Sequence, residues 1–237
     1  MNQPGVLIFK GMTAGFLPDD LVISIDNKEE SKAILSTSYN VIPIWLKIGY
    51  DSLKESKIAS ENISAKWNDN PELQKELLMA ELASSMQVAV ACGIALDALY
   101  DTLNSFYEVP LETIERWRTN RSSRAKKIIE VIKLTYKPKP HILKNFSACI
   151  KEIMKFRDLA VHPSLELKNS VYRDDIHVGV DWKFSTYQYL NVKRFLTNTI
   201  HMIDYLHEHK SGIPEVDASI SNVIEAIEEL KIVKRIK

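Results

Sequence analysis

The two side chains best suited to chemistry are Arg157 and His162, which lie five positions apart. The sequence before them predicts a helix with one apolar face, formed by Phe146, Cys149, Ile150, Ile153 and Ala160. Arg157 falls in the middle of that face. A guanidinium there is costly unless a carboxylate, a ligand or a partner subunit receives it. Histidine and arginine together can move a proton and offset phosphate charge near neutral pH.

The end of this helix decides whether the two side chains can meet. His162 precedes Pro163, and a residue before proline is pushed out of helical geometry, so the helix should end at about Val161. On a continuing helix the two side chains would be about 140° apart, whereas a chain that leaves the helix can bring the imidazole back towards the guanidinium. The alternative is structural. Arg157 would then pair with a buried acid such as Asp97, and His162 would be a favourable cation at the helix end.

The segment Phe156-Arg157-Asp158-Leu159-Ala160-Val161-His162-Pro163 resembles the motif of the HEPN superfamily, an arginine followed after four to six residues by a histidine. Asp158 occupies the polar position after the arginine, where the family more often has asparagine. The apolar stretch that ends Ala95-Leu96-Asp97-Ala98-Leu99 is also similar to a HEPN helix. The resemblance covers about residues 75–208 and implies a mainly α, up-and-down helical bundle.

The resemblance also implies a function, metal-independent RNA cleavage by attack of the ribose 2′-hydroxyl on the adjacent phosphate. Arg157, Asp158 and His162 would form the catalytic site, completed when a homodimer brings two copies into one cleft. The resemblance further implies a toxin or phage-defence effector, so an antitoxin protein is an expected partner beside RNA. Some HEPN domains are noncatalytic, which leaves an interaction module, or an RNA- or nucleotide-binding module without turnover, as alternatives.

Charge is distributed unevenly along a chain whose formal net charge is zero. Residues 1–115 carry 8 Lys/Arg and 17 Asp/Glu, a balance of −9, whereas residues 116–144 carry 10 basic side chains and one acid, a balance of +9. The basic segment is a candidate for binding the RNA backbone, through Arg116, Arg121, Arg124 and Lys127. Trp117 or Tyr136 could stack on bases. The alternative is a solvated helix face followed by a basic loop.

Composition favours a cytoplasmic globular protein formed by one domain over residues 1–237. The longest apolar run, 88–96, is too short to cross a bilayer, no signal peptide is apparent, and no membrane partner is expected. Cys92 and Cys149 lie among apolar neighbours and are interpreted as buried hydrophobes. No cofactor or metal is expected, because the helical spacing of His201, Asp204, His207 and His209 spreads them around the axis.

The remaining pattern predicts helices with small β additions. Two β-like runs, 6–9 and 21–25, suggest a hairpin in an N-terminal segment 1–25. Alternation from Ile176 to Phe184 predicts a strand near 176–184 with one buried face, pairing with that hairpin. Helices are expected at 30–60, interrupted by Pro43, and at 71–105, 111–136 with a break at 119–123, 142–161, 186–209 and 215–237.

Overall fold

The computed structural model describes residues 5–9, 11–18, 20–23, 31–162 and 167–232. These residues form a mainly helical protein with three small antiparallel strand pairs, as the sequence predicts. The strands are β1 Met12–Gly15, β2 Leu21–Val22, β3 Lys32–Ala33, β4 Ser36–Tyr39, β5 Val171–Arg173 and β6 Val178–Val180. The helices are α1 Ile42–Lys66, α2 Pro71–Phe106, α3 Leu111–Thr119, α4 Arg124–Tyr136, α5 Pro140–Val161, α6 Trp182–Thr186, α7 Tyr189–Glu208 and α8 Pro214–Glu229.

Helix α2 is 36 residues long and is the central helix, in contact with α1, α4, α5 and α7. It begins at Pro71, as predicted, because proline suits the first turn and the Asn70 side chain accepts hydrogen bonds from the backbone N–H groups of Glu72 and Leu73. Among the described residues, α2 is the one helix whose length and apolar composition would suffice to cross a membrane. Half of that apolar stretch is buried inside the protein, as expected for the core helix of a bundle.

The N-terminal strands differ from the predicted hairpin. Residues 6–9 are not a strand; β1 pairs with β4, and β2 pairs with β3. The prediction of a helix from about Glu30 is also wrong for residues 31–41, and Glu30 itself, like residues 24 and 25, lies outside the described residues. Pro43 does not interrupt α1 but occupies its first turn, where its missing N–H costs nothing. Helix α1 therefore starts late and continues to Lys66.

The strand predicted at 176–184 is wrong over most of its length. Only Val178–Val180 is a strand, and it pairs with β5 instead of the N-terminal segment. Trp182–Thr186 is a short helix, because the Asp181 side chain accepts a hydrogen bond from the backbone N–H of Lys183 and starts a helical turn. A local cap thus outweighs the alternation of apolar residues.

The other helix boundaries follow the sequence closely. The break at 119–123 separates α3 from α4, and the Ser123 side chain caps α4 by accepting from the Lys126 N–H. Helix α7 begins three residues later than predicted, and α8 ends at Glu229, whereas the prediction continued to 237. Residues 233–237 lie outside the described part of the chain.

One large hydrophobic core includes buried residues from Ile42 in α1 to Ile232 beyond α8. Cys92 is buried within it and Cys149 packs against it, as interpreted from the sequence. Burial raises the pKa of the Cys92 thiol to about 12 and that of Cys149 to about 11. Both thiols therefore remain protonated and act as small apolar side chains near neutral pH.

Candidate functional site

Helix α5 carries the Arg157 to His162 segment and ends where predicted. Val161 is its last residue, and His162 leaves the helix with φ −114° and ψ 82°. The backbone N–H of His162 still donates to the Asp158 carbonyl at 2.8 Å, which closes the last turn. Pro163, whose steric effect on its predecessor motivated the prediction, lies outside the described residues.

Arg157 is turned towards α2, as its place on the apolar face predicts. A Cβ added to Gly93 would lie 2.5 Å from Arg157 Cγ and 2.7 Å from its Cβ, so the arginine stem crosses α2 where α2 has no side chain. The guanidinium lies 3.3 Å from Asp97, measured from Nη2 to Oδ2, and 23% of the Arg157 side chain is exposed. Its Nε lies 3.1 Å from Asp158 Oδ1, but the N–H is not aligned for a hydrogen bond. The ion pair with Asp97 is the one that the structural alternative predicts.

Asp97 is shared with a second arginine from α4. The Nε of Arg124 donates to Asp97 Oδ1 at 2.7 Å, and its Nη2 donates to Asp101 Oδ1 at 2.9 Å. The Arg124 guanidinium also lies over the Tyr100 ring, 3.9 Å from the ring centroid. Burial alone would lower the pKa of Arg124, but the hydrogen bonds that it donates to Asp97 and Asp101 outweigh burial and raise the pKa. The result is a continuous charged cluster between α2, α4 and α5.

His162 is exposed at the edge of an open groove between the start of α4 and the end of α5. Arg124, Lys151, Lys155 and Asp158 line the same groove. No hydrogen bond or ion pair joins Arg157 to His162 in the part of the chain that the structure describes. The single chain thus brings Asp158 and His162 into one groove, whereas Arg157 does not line that groove and lies beside Asp158 and Asp97.

The four predicted RNA-binding residues have different environments. Arg124 lines the groove beside His162, whereas Arg116 pairs with Glu130. Arg121 is exposed in the loop before α4, with a positive φ of 45°. Lys127 Nζ lies 5.8 Å from the centroid of the Trp117 ring.

The predicted stacking role of Trp117 and Tyr136 is not supported by their burial. Trp117 is only 5% exposed, and its indole N–H donates to Glu130. Tyr136 is half-buried with its hydroxyl buried, and burial raises the pKa of that hydroxyl. Both aromatic rings serve packing between helices, which a local sequence pattern cannot distinguish from exposed rings.

The groove contains two residues that sequence reasoning missed, Lys151 and Lys155. Their signal was a spacing of four on α5, which places both on the exposed face that also carries Asp158 and His162. Within the described residues, no three His, Cys, Asp or Glu side chains converge in a geometry that could hold a metal ion. No family model, curated protein or solved structure matches this chain.

Proposed function

We propose that the chain is a metal-independent endoribonuclease of the HEPN type, acting in the cytoplasm as a homodimeric toxin or phage-defence effector. The observation that supports this most is the exposed imidazole of His162 in a groove that also contains Arg124, Lys151 and Lys155. A phosphodiester needs positive charge around it and a group that can exchange a proton near neutral pH, and this groove has both.

The proposed reaction needs one base and one acid. The base takes the proton from the ribose 2′-hydroxyl, the 2′-oxygen attacks the adjacent phosphorus, and the acid protonates the departing 5′-oxygen, leaving a 2′,3′-cyclic phosphate. His162 would serve in either role, and Lys155 and Arg157 would offset the charge that develops on the phosphate. Asp158, next to the Arg157 guanidinium at 3.1 Å, would position it.

A homodimer would supply the second imidazole. One chain has one His162, and a two-fold axis near the end of α5 would place two of them in one cleft. An apolar groove beside the site supports an interface there. It is formed by the last residues of α5 and one side of α2, namely Met79, Leu82, Ala83, Met86, Gln87, Val90, Ala160 and Val161. Met79 and Val161 are about half exposed in the single chain. RNA is then the substrate, and an antitoxin protein that covers the groove is a further proposed partner.

The test is RNA cleavage by purified protein in the presence of EDTA. His162→Ala should reduce cleavage by about 100-fold or more, as expected for loss of a general acid or base. His201→Ala, which removes an exposed imidazole on α7, is the matched control and should cleave like the parent. Product analysis should find a 2′,3′-cyclic phosphate. Cleavage that survives His162→Ala would contradict the proposed site.

A noncatalytic interaction module is the second candidate, and one observation favours it. Arg157 already has the partner that its placement requires, because Asp97 receives its guanidinium. In that function Arg157→Ala would change oligomer size or stability, and the wild-type protein would leave RNA intact. Size-exclusion chromatography with light scattering, run beside the cleavage assay, separates the two functions.

A further inference from the structure

Two open grooves lie along the same pair of helices, α4 and α5. The first contains His162 and is lined by Arg124, Lys151 and Lys155. The second lies towards the turn that joins the two helices and is lined by Ile129, Lys133, Lys137, Pro138, Pro140, Leu143, Lys144 and Ser147. Because the helices run antiparallel, the first groove uses the start of α4 with the end of α5, and the second uses the end of α4 with the start of α5.

Helical spacing shows that both grooves open on the same side of the helix pair. On α4 the lining residues Ala125, Ile129 and Lys133 recur every four positions, and Lys137 lies directly after the helix. On α5 the lining residues Lys144, Lys151, Lys155 and Asp158 fall within roughly 60° of one another when each residue advances about 100°, and His162 follows at the end of the helix. The two grooves are therefore one strip, called here the α4–α5 groove, and from Lys144 to His162 it spans about 27 Å.

The α4–α5 groove is strongly basic. Lys133, Lys137, Lys144, Lys151 and Lys155 are all exposed, and among the residues that the structure describes none of the five has a carboxylate partner. Two nearby acids are engaged elsewhere, Glu130 by Arg116 and Glu152 by Arg194. A third, Asp158, lines the groove itself and pairs with Arg157. Lysines four positions apart on one helix repel each other, as at 151/155, and an anion between them relieves that repulsion.

We propose that the α4–α5 groove is the path of a single strand of RNA, whose phosphates pass Lys144, Lys151 and Lys155 and reach His162. This inference deepens the proposed ribonuclease function and rests on it for the identity of the ligand. A linear row of cations that ends at an imidazole fits a polyanionic chain with one bond to be cleaved. Contact is through phosphates, so binding tolerates many sequences.

The path differs from the one that the basic segment 116–144 suggests by itself. Arg116 and Lys127 are engaged with Glu130 and with the Trp117 ring, and Arg121 does not line either groove. The lysines that extend towards His162 lie on α5 instead. They are Lys144, at the end of the basic segment, and Lys151 and Lys155, beyond it. Substitution of the α5 lysines should therefore weaken RNA binding, whereas substitution of Arg116, Arg121 and Lys127 should not.

The experiment measures RNA affinity by fluorescence anisotropy, using full-length protein with His162→Ala so that no RNA is cleaved. The probe is a labelled oligouridylate of about 12 nucleotides, titrated at several salt concentrations. Combined Lys144→Gln, Lys151→Gln and Lys155→Gln should flatten the slope of log affinity against log salt by about 2, because each phosphate contact with single-stranded nucleic acid contributes about 0.7. Lys144→Gln alone should flatten it by about 0.7.

Two control variants remove equal charge elsewhere. Lys57→Gln, Lys66→Gln and Lys75→Gln change exposed lysines on α1 and α2, and Arg116→Gln, Arg121→Gln and Lys127→Gln change the other basic residues. Both sets should leave the slope within about 0.5 of the parent. The combined Lys144, Lys151 and Lys155 variant is called here the α5 set. The path is refuted if the α5 set keeps the parent's salt slope, or if either control variant flattens the slope as much as the α5 set should. It is also refuted if an acidic protein or a duplex displaces the probe while single RNA strands do not.

Failure of the path and failure of the function give different results. If the wild-type protein cleaves RNA but the α5 set binds the probe normally, the function stands and the path is wrong. If the α5 set loses binding while the wild-type protein never cleaves RNA, the path stands and the ribonuclease proposal is wrong.

Discussion

Arg173→Met is expected to lower the free energy of unfolding more than most single substitutions in this protein. The side chains of Arg173 and Glu81 are each only 2% exposed, and Nη1 lies 2.9 Å from Oε2. Glu81 Oε1 also accepts from the Tyr189 backbone N–H at 3.1 Å, and Arg173 Nη1 donates to the Phe184 carbonyl at 3.0 Å. This ion pair fastens the β5–β6 hairpin and the start of α7 to α2.

The size of the effect follows from what each substitution leaves behind. Arg173→Met leaves the Glu81 carboxylate buried without its cation, which costs about 3–5 kcal/mol. For a chain of this size that lowers Tm by roughly 6–20 °C. Glu81→Gln costs less, about 1–3 kcal/mol, because Arg173 keeps Asp175 as a charged partner. Asp175, whose side chain is 41% exposed, accepts hydrogen bonds from Nη2 and Nε of Arg173.

The assay is urea unfolding followed by far-ultraviolet circular dichroism, with the slope of the transition compared between variants. Lys183→Met is the matched control, because Lys183 pairs with Asp181 at 3.5 Å on the surface and should cost less than about 1 kcal/mol. The double variant Glu81→Leu with Arg173→Met should be more stable than Arg173→Met alone, since no buried charge is then left unpaired and the Asp175 side chain is 41% exposed. The reasoning is refuted if Arg173→Met costs no more than Glu81→Gln or if the double variant is the least stable.

Three further substitutions test other parts of the structure by the same unfolding assay. Gly93→Ala should destabilise the protein by about 1–3 kcal/mol despite the better helix propensity of alanine, because the new Cβ meets the stem of Arg157; adding Arg157→Ala should recover part of the loss. Asn70→Ala should cost about 1 kcal/mol and Asn70→Gly only a few tenths, because Asn70 caps α2; equal losses would argue against the cap. Burial opposes ionisation of Asp217, but the carboxylate accepts hydrogen bonds from Ser211 and from the backbone N–H of Gly212. These bonds outweigh burial and hold the pKa of Asp217 below 3.8. A lowered carboxyl pKa stabilises the fold above pH 3.8 and loses that contribution as pH falls further, so the deficit of Asp217→Asn should be present at pH 7 and shrink below pH 3.8.

The sequence predicted three helix boundaries well, each at a proline or a capping side chain. Pro71 with Asn70 starts α2, Ser123 starts α4, and the position before Pro163 ends α5. The predictions of a helix over 31–41 and of a strand over 182–186 are wrong. The pairing of β1 with β4 joins residues more than twenty positions apart, and no local pattern records that contact. At 182–186 the cap by Asp181 outweighs an alternation that indicated a strand.

The candidate site was predictable in part. The inward orientation of Arg157 follows from its place on the apolar face of α5, and Asp97 was named as its acid in the structural alternative. The pairing of Arg124 with Asp97 depends on how α4 packs against α2. The spacing of residues along the chain does not determine that packing. Charge balance along the chain does not single out Lys151 and Lys155, because residues 145–237 carry 13 basic and 13 acidic side chains and only the fold gathers these two lysines in one groove.

The Asp97 carboxylate joins two ion pairs that lie in different surroundings. Its two carboxylate oxygens neutralise two different arginines, Arg124 at the solvent side and Arg157 against Gly93. Loss of this one carboxylate would therefore take a partner from two guanidinium groups at once, at the contact of α2 with α4 and at the contact of α2 with α5.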